Sequence, residues 1–345
     1  MHIGNGTIRR GVPPLGSDPS CAPVFIVGCG RSGTTLLRLI LNRHRDLAIF
    51  GESGMFFRRR KYAYLAKPRA LRRFVKDWET VISQHSPHLG LVSSEPVMAA
   101  LRQSASYAEA TSLVMRAFAA AEKKQVWGEK TPAHVMRLKD IFAAYPNARV
   151  IHMTRDPRAT VASAITALGD NRFTAVNVYR AARYWLRCEM QIERFAAAKP
   201  DRIMRVRYED LVAEPETVVR DLCRFLGVPY GPDMLDVAAS ARQYAPKTEA
   251  GGQIVPIHQG LLRDVNRDAV EKWRTVLSSD MQAVVERVTA ALMAMRGYSV
   301  SAAPPRLSAV RELTMRLAWL ASECKRLVHR TLLRLFWRTR ALTWG

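Results

Sequence analysis

A four-residue apolar run opens into a glycine-bounded turn and then into a second apolar run at helical spacing. The stretch is Val24-Phe25-Ile26-Val27-Gly28-Cys29-Gly30-Arg31-Ser32-Gly33-Thr34-Thr35-Leu36-Leu37. Val24 to Val27 reads as a buried parallel strand, and Leu36, Leu37, Ile40 and Leu41 recur as one face of a helix. Strand, turn and helix start bring backbone N–H groups and a positive dipole end to one point, which suits a phosphate-like anion. Arg31, Ser32, Thr34 and Thr35 add side-chain donors there, and Gly33 gives the turn its freedom. The bland alternative is a plain glycine turn. Gly28, Gly33 and Thr35 match the nucleotide-triphosphatase pattern G-x-x-x-x-G-K-[ST], but Thr34 stands where the lysine belongs. Without that lysine nothing reaches across β- and γ-phosphates. The loop therefore suits one terminal tetrahedral oxyanion better than a magnesium triphosphate.

Further strands are expected at Leu47–Phe50, Ala148–Thr154 and Ile203–Arg207, and Gln125–Pro132 reads as a short strand running into a polar turn, with helices between them. Leu47–Phe50 is expected to be an inner strand ending at Glu52. Pro132 suits the start of a helix through Phe142, and helices are also expected from Pro157, over 175–198 and over 215–225. This alternation predicts an α/β fold, a P-loop-like open parallel sheet flanked by helices. Residues 230–265 read as a long loop, of the kind that serves as a lid, and two helices follow at 268–277 and 280–295.

The chain carries 53 Lys and Arg against 30 Asp and Glu, a net charge of +23, which calls for an anionic partner. The run from Phe57 to Phe74 is basic throughout and reads as a solvated helix face or as an edge of an acceptor site. The five cysteines form no C-x-x-C pair and no zinc spacing, so a reducing compartment and no structural metal are expected. Residues 1–22 read as a flexible leader without the apolar core of a signal peptide, 23–300 as the main α/β domain, and 301–345 as a basic amphipathic helical tail. That tail suits an anionic membrane surface, a partner or its own domain. The expected location is cytoplasmic, with peripheral membrane attachment as an extension.

The run G-x-x-R-S-G-T-T-L-L after a hydrophobic strand resembles the 5′-phosphosulfate loop of the sulfotransferases that use 3′-phosphoadenosine 5′-phosphosulfate (PAPS). It is most similar to the bacterial and Golgi-type branch with arginine in this loop. Many relatives have proline where this chain has Gly30. Arg155-Asp156-Pro157-Arg158 followed by Ser163 resembles the family's 3′-phosphate segment, with Arg155 as a planar fork and Ser163 as a further donor. Tyr208-Glu209-Asp210-Leu211 resembles the segment whose aromatic ring lies near the adenine; otherwise Tyr208 simply packs. The resemblance spans roughly residues 23–230. It implies PAPS as co-substrate, a hydroxyl-bearing acceptor, no metal and no nucleic acid. Glu52 would be the base, Arg31 would stabilise the bridging oxygen and sulfonate, and Lys130 would share that load. His134 is the fallback base, its other reading being a helix-surface histidine. His258, Arg263 and Arg267 lie in the lid region but match poorly. Two rivals stand beside this reading: a P-loop kinase or NTPase-like phosphoryl transferase, and a basic membrane or nucleic-acid binding protein. Acceptor and oligomeric state are open.

Overall fold

The computed structural model describes residues 22–58, 67–167, 175–244, 268–300 and 313–317, with single positions at 62, 65, 320, 321, 324 and 328. Five strands form one parallel sheet: β1 (Val24–Gly28), β2 (Leu47–Phe50), β3 (Val126–Lys130), β4 (Arg149–Thr154) and β5 (Ile203–Arg207). Their order is β2-β3-β1-β4-β5, so the first strand is central. From β1 the chain first builds one side, with β2 and β3, and then crosses to the other for β4 and β5. The carboxyl end of β1 is thus the switch point at which open α/β sheets hold ligands.

One expectation is corrected here. Strand β2 lies at the sheet edge, not inside it. Its four residues are nonetheless all buried, so its apolar run reads like that of an inner strand. The free edge is closed by α1 (Thr34–Asn42). Asn42 accepts from the Ile49 N–H at 2.7 Å through Oδ1 and donates to the Ile49 carbonyl at 3.0 Å through Nδ2, and Arg38 Nε donates to the same carbonyl at 3.0 Å. A side-chain amide here does the work of a missing strand neighbour, which is how an exposed ladder edge is kept from pairing elsewhere.

The chain divides into two compact units, Met1–Arg155 with Cys188–Asp268, and Asp156–Arg187 with Ala269–Gly345. In the first, Phe25, Phe56, Trp127 and Tyr145 form an edge-to-face and tilted aromatic cluster with centroids 5.4–6.2 Å apart. Phe50 packs on Phe118 and Trp78. The helix Pro68–His85 buries Phe74, Trp78, Val81 and Ile82 while Arg69, Arg72 and Arg73 face solvent. The stretch expected to be a loop from 230 on contains a 3-10 turn, Pro232–Leu235, and a helix, Val237–Tyr244. Buried Val237 and Ala241 and a Ser240 Oγ bond to the Leu39 carbonyl (2.7 Å) hold that helix against α1. Residues 245–267, with His258, Arg263 and Arg267, lie outside the described residues.

In the second unit, the helices Pro157–Ala167 and Ser279–Met295 share a core of Val161, Ile165, Val284 and Val285 with Trp273 and Met315. Arg158 ties them together. It donates to Asp156 Oδ2 at 2.6 Å and to Glu286 Oε1 at 2.7 Å, its guanidinium 4.2 Å from the Trp273 ring centre. The helix expected over 268–277 is two short ones, Asp268–Glu271 and Trp273–Val276. Of the expected C-terminal tail, 313–317 is helical; most of the rest lies outside the described residues.

Candidate active site

The loop between β1 and α1 is shaped by backbone conformations that side chains resist. Gly33 caps α1 with φ 93°, and Arg31 adopts φ 73°, an uncommon left-handed geometry for a non-glycine residue and a form of local strain that collects at functional sites. The Ser32 N–H donates to the Cys29 carbonyl at 3.2 Å and closes the turn. No side chain caps α1 and its first turn holds no acid, so its leading N–H groups are left to face the loop. Gly30 has no neighbour within 4 Å of a would-be Cβ, so the loop does not require glycine there.

Two glycines are needed for another reason. A Cβ on Gly28 would lie 2.3 Å from the Met153 carbonyl oxygen, and one on Gly33 would lie 2.4 Å from Cδ2 of Tyr208. The loop is therefore pressed onto the end of β4 and onto the Tyr208 ring. Gly33→Ala adds left-handed strain of about 1–2 kcal/mol to this overlap, which costs a further 1–3 kcal/mol or so. A urea titration should show the loss of stability as a lower midpoint.

Arg155, at the carboxyl end of β4, meets the same loop from the other side. Its Nη1 donates to the Arg31 carbonyl at 3.2 Å, and its guanidinium carbon lies 4.3 Å from the centre of the Tyr208 ring. Arg155 and Tyr208 are both buried. Burial, and then the neighbouring Arg155 charge, lower the pKa of Arg31, while Glu52 opposes them. Two guanidinium groups held together in a partly desolvated place favour an anion. Ser32 Oγ is fully buried and has no hydrogen-bond partner among the described residues, a donor set aside in the turn.

The third wall comes from β2 and β3. Lys130, at the end of β3, is 3% exposed and donates to Glu52 Oε1 at 2.5 Å and to Thr35 Oγ1 at 3.3 Å. Burial lowers the pKa of Lys130, and the Glu52 carboxylate counters that. Glu52 is itself 53% exposed at the side chain, so the pair joins a desolvated cation to a carboxylate that solvent can reach. Thr34 is buried and heads α1. Ser163 sits half-buried on the helix Pro157–Ala167 of the second unit. The other expected site residues, Arg31, Ser32, Gly33, Thr34, Thr35, Glu52, Lys130, Arg155 and Tyr208, all belong to the first unit.

His134 is corrected. It is fully buried on a 3-10 turn, Pro132–Arg137, and does not lie on a helix surface. Its Nδ1 is 2.9 Å from Glu129 Oε2 and its Nε2 accepts from the Phe56 N–H at 3.4 Å, which places the proton on Nδ1. Both nitrogens are engaged, so the ring cannot serve an incoming hydroxyl. Glu129 also accepts from the Ser53 N–H at 3.0 Å, from Ser53 Oγ at 2.8 Å and from Thr131 Oγ1. Burial pushes the Glu129 pKa up, but His134 and these donors outweigh it and hold the carboxyl below its usual 4.5. A depressed carboxylate stabilises the fold above its unfolded pKa and loses that contribution as pH falls through the folded value. Glu129→Gln should therefore cost about 2–3 kcal/mol at pH 7 and flatten the acid limb of a stability-versus-pH curve below about pH 4.5.

The sequence gives no hint of His85. It ends the helix Pro68–His85, and a Cβ on Gly51, the residue before Glu52, would lie 2.6 Å from its ring. Burial, then Arg38 and Lys130, lower its pKa to about 4, so it is neutral at pH 7. A histidine at the end of an amphipathic helix carries no motif; only the tertiary fold brings it against Gly51.

With this geometry in view, comparison with known proteins decides the family. A sequence model described as "Sulfotransferase family" matches residues 23–232. This chain belongs to the sulfotransferase family. It is 24% identical over 293 residues to "Protein-tyrosine sulfotransferase A" of Caenorhabditis elegans, covering 84% of this chain and 70% of that protein. It is 26% identical over 287 residues to "Protein-tyrosine sulfotransferase 1" of Danio rerio, covering 82% and 74%. Among solved structures, the sulfotransferase domain of the Synechococcus PCC 7002 olefin synthase matches with TM-score 0.54 and 20% identity over 86% of this chain and 100% of that one. The sulfotransferase domain from the curacin biosynthetic pathway gives TM-score 0.53 and 22% identity over 81% and 99%. These likenesses show the shared fold.

Proposed function

We propose that this sulfotransferase moves a sulfonate group from PAPS to an acceptor hydroxyl, with Glu52 as general base. The observation that carries the reading is the convergence of the Arg31 loop, Arg155 stacked on Tyr208, and the Glu52–Lys130 pair at the carboxyl ends of β1, β4 and β3. The residues fit the donor chemically: an orphaned buried hydroxyl, a glycine-bounded cradle and two arginines suit phosphate and sulfonate oxygens.

Each side chain then has one task. The α1 N-terminus, Ser32, Thr34 and Thr35 bind the phosphosulfate end. Arg155 binds phosphate as a fork while Tyr208 holds the guanidinium plane. Arg31 and Lys130 stabilise the charge that builds on the bridging oxygen as the S–O bond breaks. Glu52, half open to solvent, takes the acceptor proton; transfer in line needs little more than this positioning and electrostatic support. The names of the relatives make a tyrosine phenol the first acceptor to assay. Its ordinary pKa near 10 is within reach of a positioned carboxylate as the bond forms.

The test is transfer of labelled sulfonate from PAPS to tyrosine peptides, hydroxylated lipids and sugars, read by a sulfonate-sized mass gain. Transfer to one class, lost in Arg31→Ala, supports the reading. ATP-dependent phosphorylation of the same acceptors, with no sulfonation, would overturn it.

A further inference from the structure

A second carboxylate, fully buried, adjoins the Glu52–Lys130 pair in the chain and has no part in the transfer chemistry described above. Glu129 precedes Lys130 on β3, and side chains alternate along a strand. Lys130 accordingly turns to Glu52 and Thr35, and Glu129 turns the other way. Ser53 follows Glu52 and alternates with it in the same manner: its N–H and its Oγ both donate to Glu129 Oε1, at 3.0 and 2.8 Å. The backbone register of β2 with β3 ends at Phe50 opposite Glu129. Beyond that point side chains join the two strand ends, Glu52 to Lys130 and Ser53 to Glu129.

The same carboxylate gathers the residues that follow. Thr131 Oγ1 donates to Glu129 Oε1 and accepts from the Gly54 N–H at 3.2 Å. His134 Nδ1 donates to Glu129 Oε2 at 2.9 Å, and its Nε2 accepts from the Phe56 N–H at 3.4 Å. The N–H groups of Ser53, Gly54 and Phe56 are thus each held by a side chain from β3 or the turn after it. Ser53 Oγ takes the Met55 N–H at 3.2 Å, and the Tyr107 hydroxyl donates to the Met55 carbonyl at 2.9 Å. A buried ion pair is a poor device for stability alone, since packed apolar residues of the same volume serve as well. It does fix geometry, because every bond has a direction and no water is at hand to replace a lost partner. The residue just before the fixed segment is Glu52, whose side chain is half open to solvent and which in-line transfer needs in one place.

We propose that Glu129, through Ser53, Thr131 and His134, is a positioning residue that fixes the Glu52 carboxylate for proton abstraction. Fully buried, it sets the backbone from which Glu52 projects and does not itself meet the acceptor. The proposal rests on the reading of Glu52 as general base.

The test is a rate cycle in the full chain between Glu52→Gln and either Ser53→Ala or Thr131→Val. Both partner substitutions remove a hydroxyl that bonds Glu129 and leave its charge in place, so the field at Lys130 is kept. Single-turnover conversion of preloaded PAPS to adenosine 3′,5′-bisphosphate is followed with a tyrosine peptide as acceptor and, separately, with water alone. Far-UV circular dichroism checks that each variant is folded. With Glu52 present, each should slow turnover about 5- to 30-fold, below the roughly 10²-fold that a 1 Å misplacement costs. Thr131→Ser keeps the hydroxyl and should run within about threefold of wild type, and bisphosphate affinity should stay within about twofold throughout. With Glu52→Gln already in place, neither substitution should slow the residual rate more than about twofold, because no base is left to misplace. Equal losses in both backgrounds would show a general structural effect and overturn the proposal, as would full turnover in both variants with Glu52 present. If Glu52→Gln alone leaves turnover unchanged, the base reading itself fails, and the positioning role falls with it.

Discussion

Arg155→Ala should weaken binding of adenosine 3′,5′-bisphosphate by at least about 100-fold, because hydrogen bonds to a charged group are worth about 1.5–3 kcal/mol each and this fork offers two. The substitution also removes the 3.2 Å bond to the Arg31 carbonyl, which helps hold a left-handed loop residue in place. Tyr208 loses its stacked cation at the same time. Arg155→Lys should recover only part of the affinity, since a point charge cannot reproduce a planar fork. Calorimetric titration measures both variants, and far-UV circular dichroism checks that each is folded. Undiminished affinity in Arg155→Ala would detach this arginine from the donor.

The second large effect is in turnover. Glu52→Gln keeps the side chain's size and its bond from Lys130 but removes the proton acceptor. The rate of a single turnover from preloaded PAPS should fall about 10²- to 10⁴-fold, the usual contribution of a positioned base, with little change in donor affinity. The variant also takes away the carboxylate that raises the pKa of Lys130, so burial is left to lower it further. The residual rate should then decline at a lower pH on the alkaline side than wild type, as the lysine loses its proton sooner. An unchanged rate with an unchanged pH profile would assign the base elsewhere.

Much of this site is legible in the sequence because its physics is local. A parallel strand covered on both faces is a continuous apolar run, and a loop with φ 93° at one position, and at another a would-be Cβ 2.3 Å from a β4 carbonyl oxygen, must use glycine at both. Lys130 ends such a strand and Arg155 and Glu52 come within two residues of one, so finding the strands finds them. Strand order is not local. Leu47–Phe50 looks internal because helices cover it, and only the Asn42 bonds to Ile49 reveal an edge. The helix Val237–Tyr244 hides among prolines and glycines because eight residues form a marginal helix alone, and contacts with α1 stabilise this one. The turn Pro132–Arg137 is 3-10 where an α-helix is expected. The His134 N–H bonds the Thr131 carbonyl at 2.9 Å, three residues back, while its ring is fixed on Glu129. His85 acts through packing alone, and packing leaves no motif.

One titration tests the centre of this account, that a single nucleotide bridges the Arg31 loop and Arg155. Wild-type protein is titrated in a calorimeter with adenosine 3′,5′-bisphosphate and, separately, with magnesium-ATP, and each titration is repeated in Arg31→Ala and Arg155→Ala. The account predicts one-to-one binding of the bisphosphate, much tighter than that of magnesium-ATP, and severe loss in both variants. Preference for magnesium-ATP, or bisphosphate binding that survives either substitution, would contradict it.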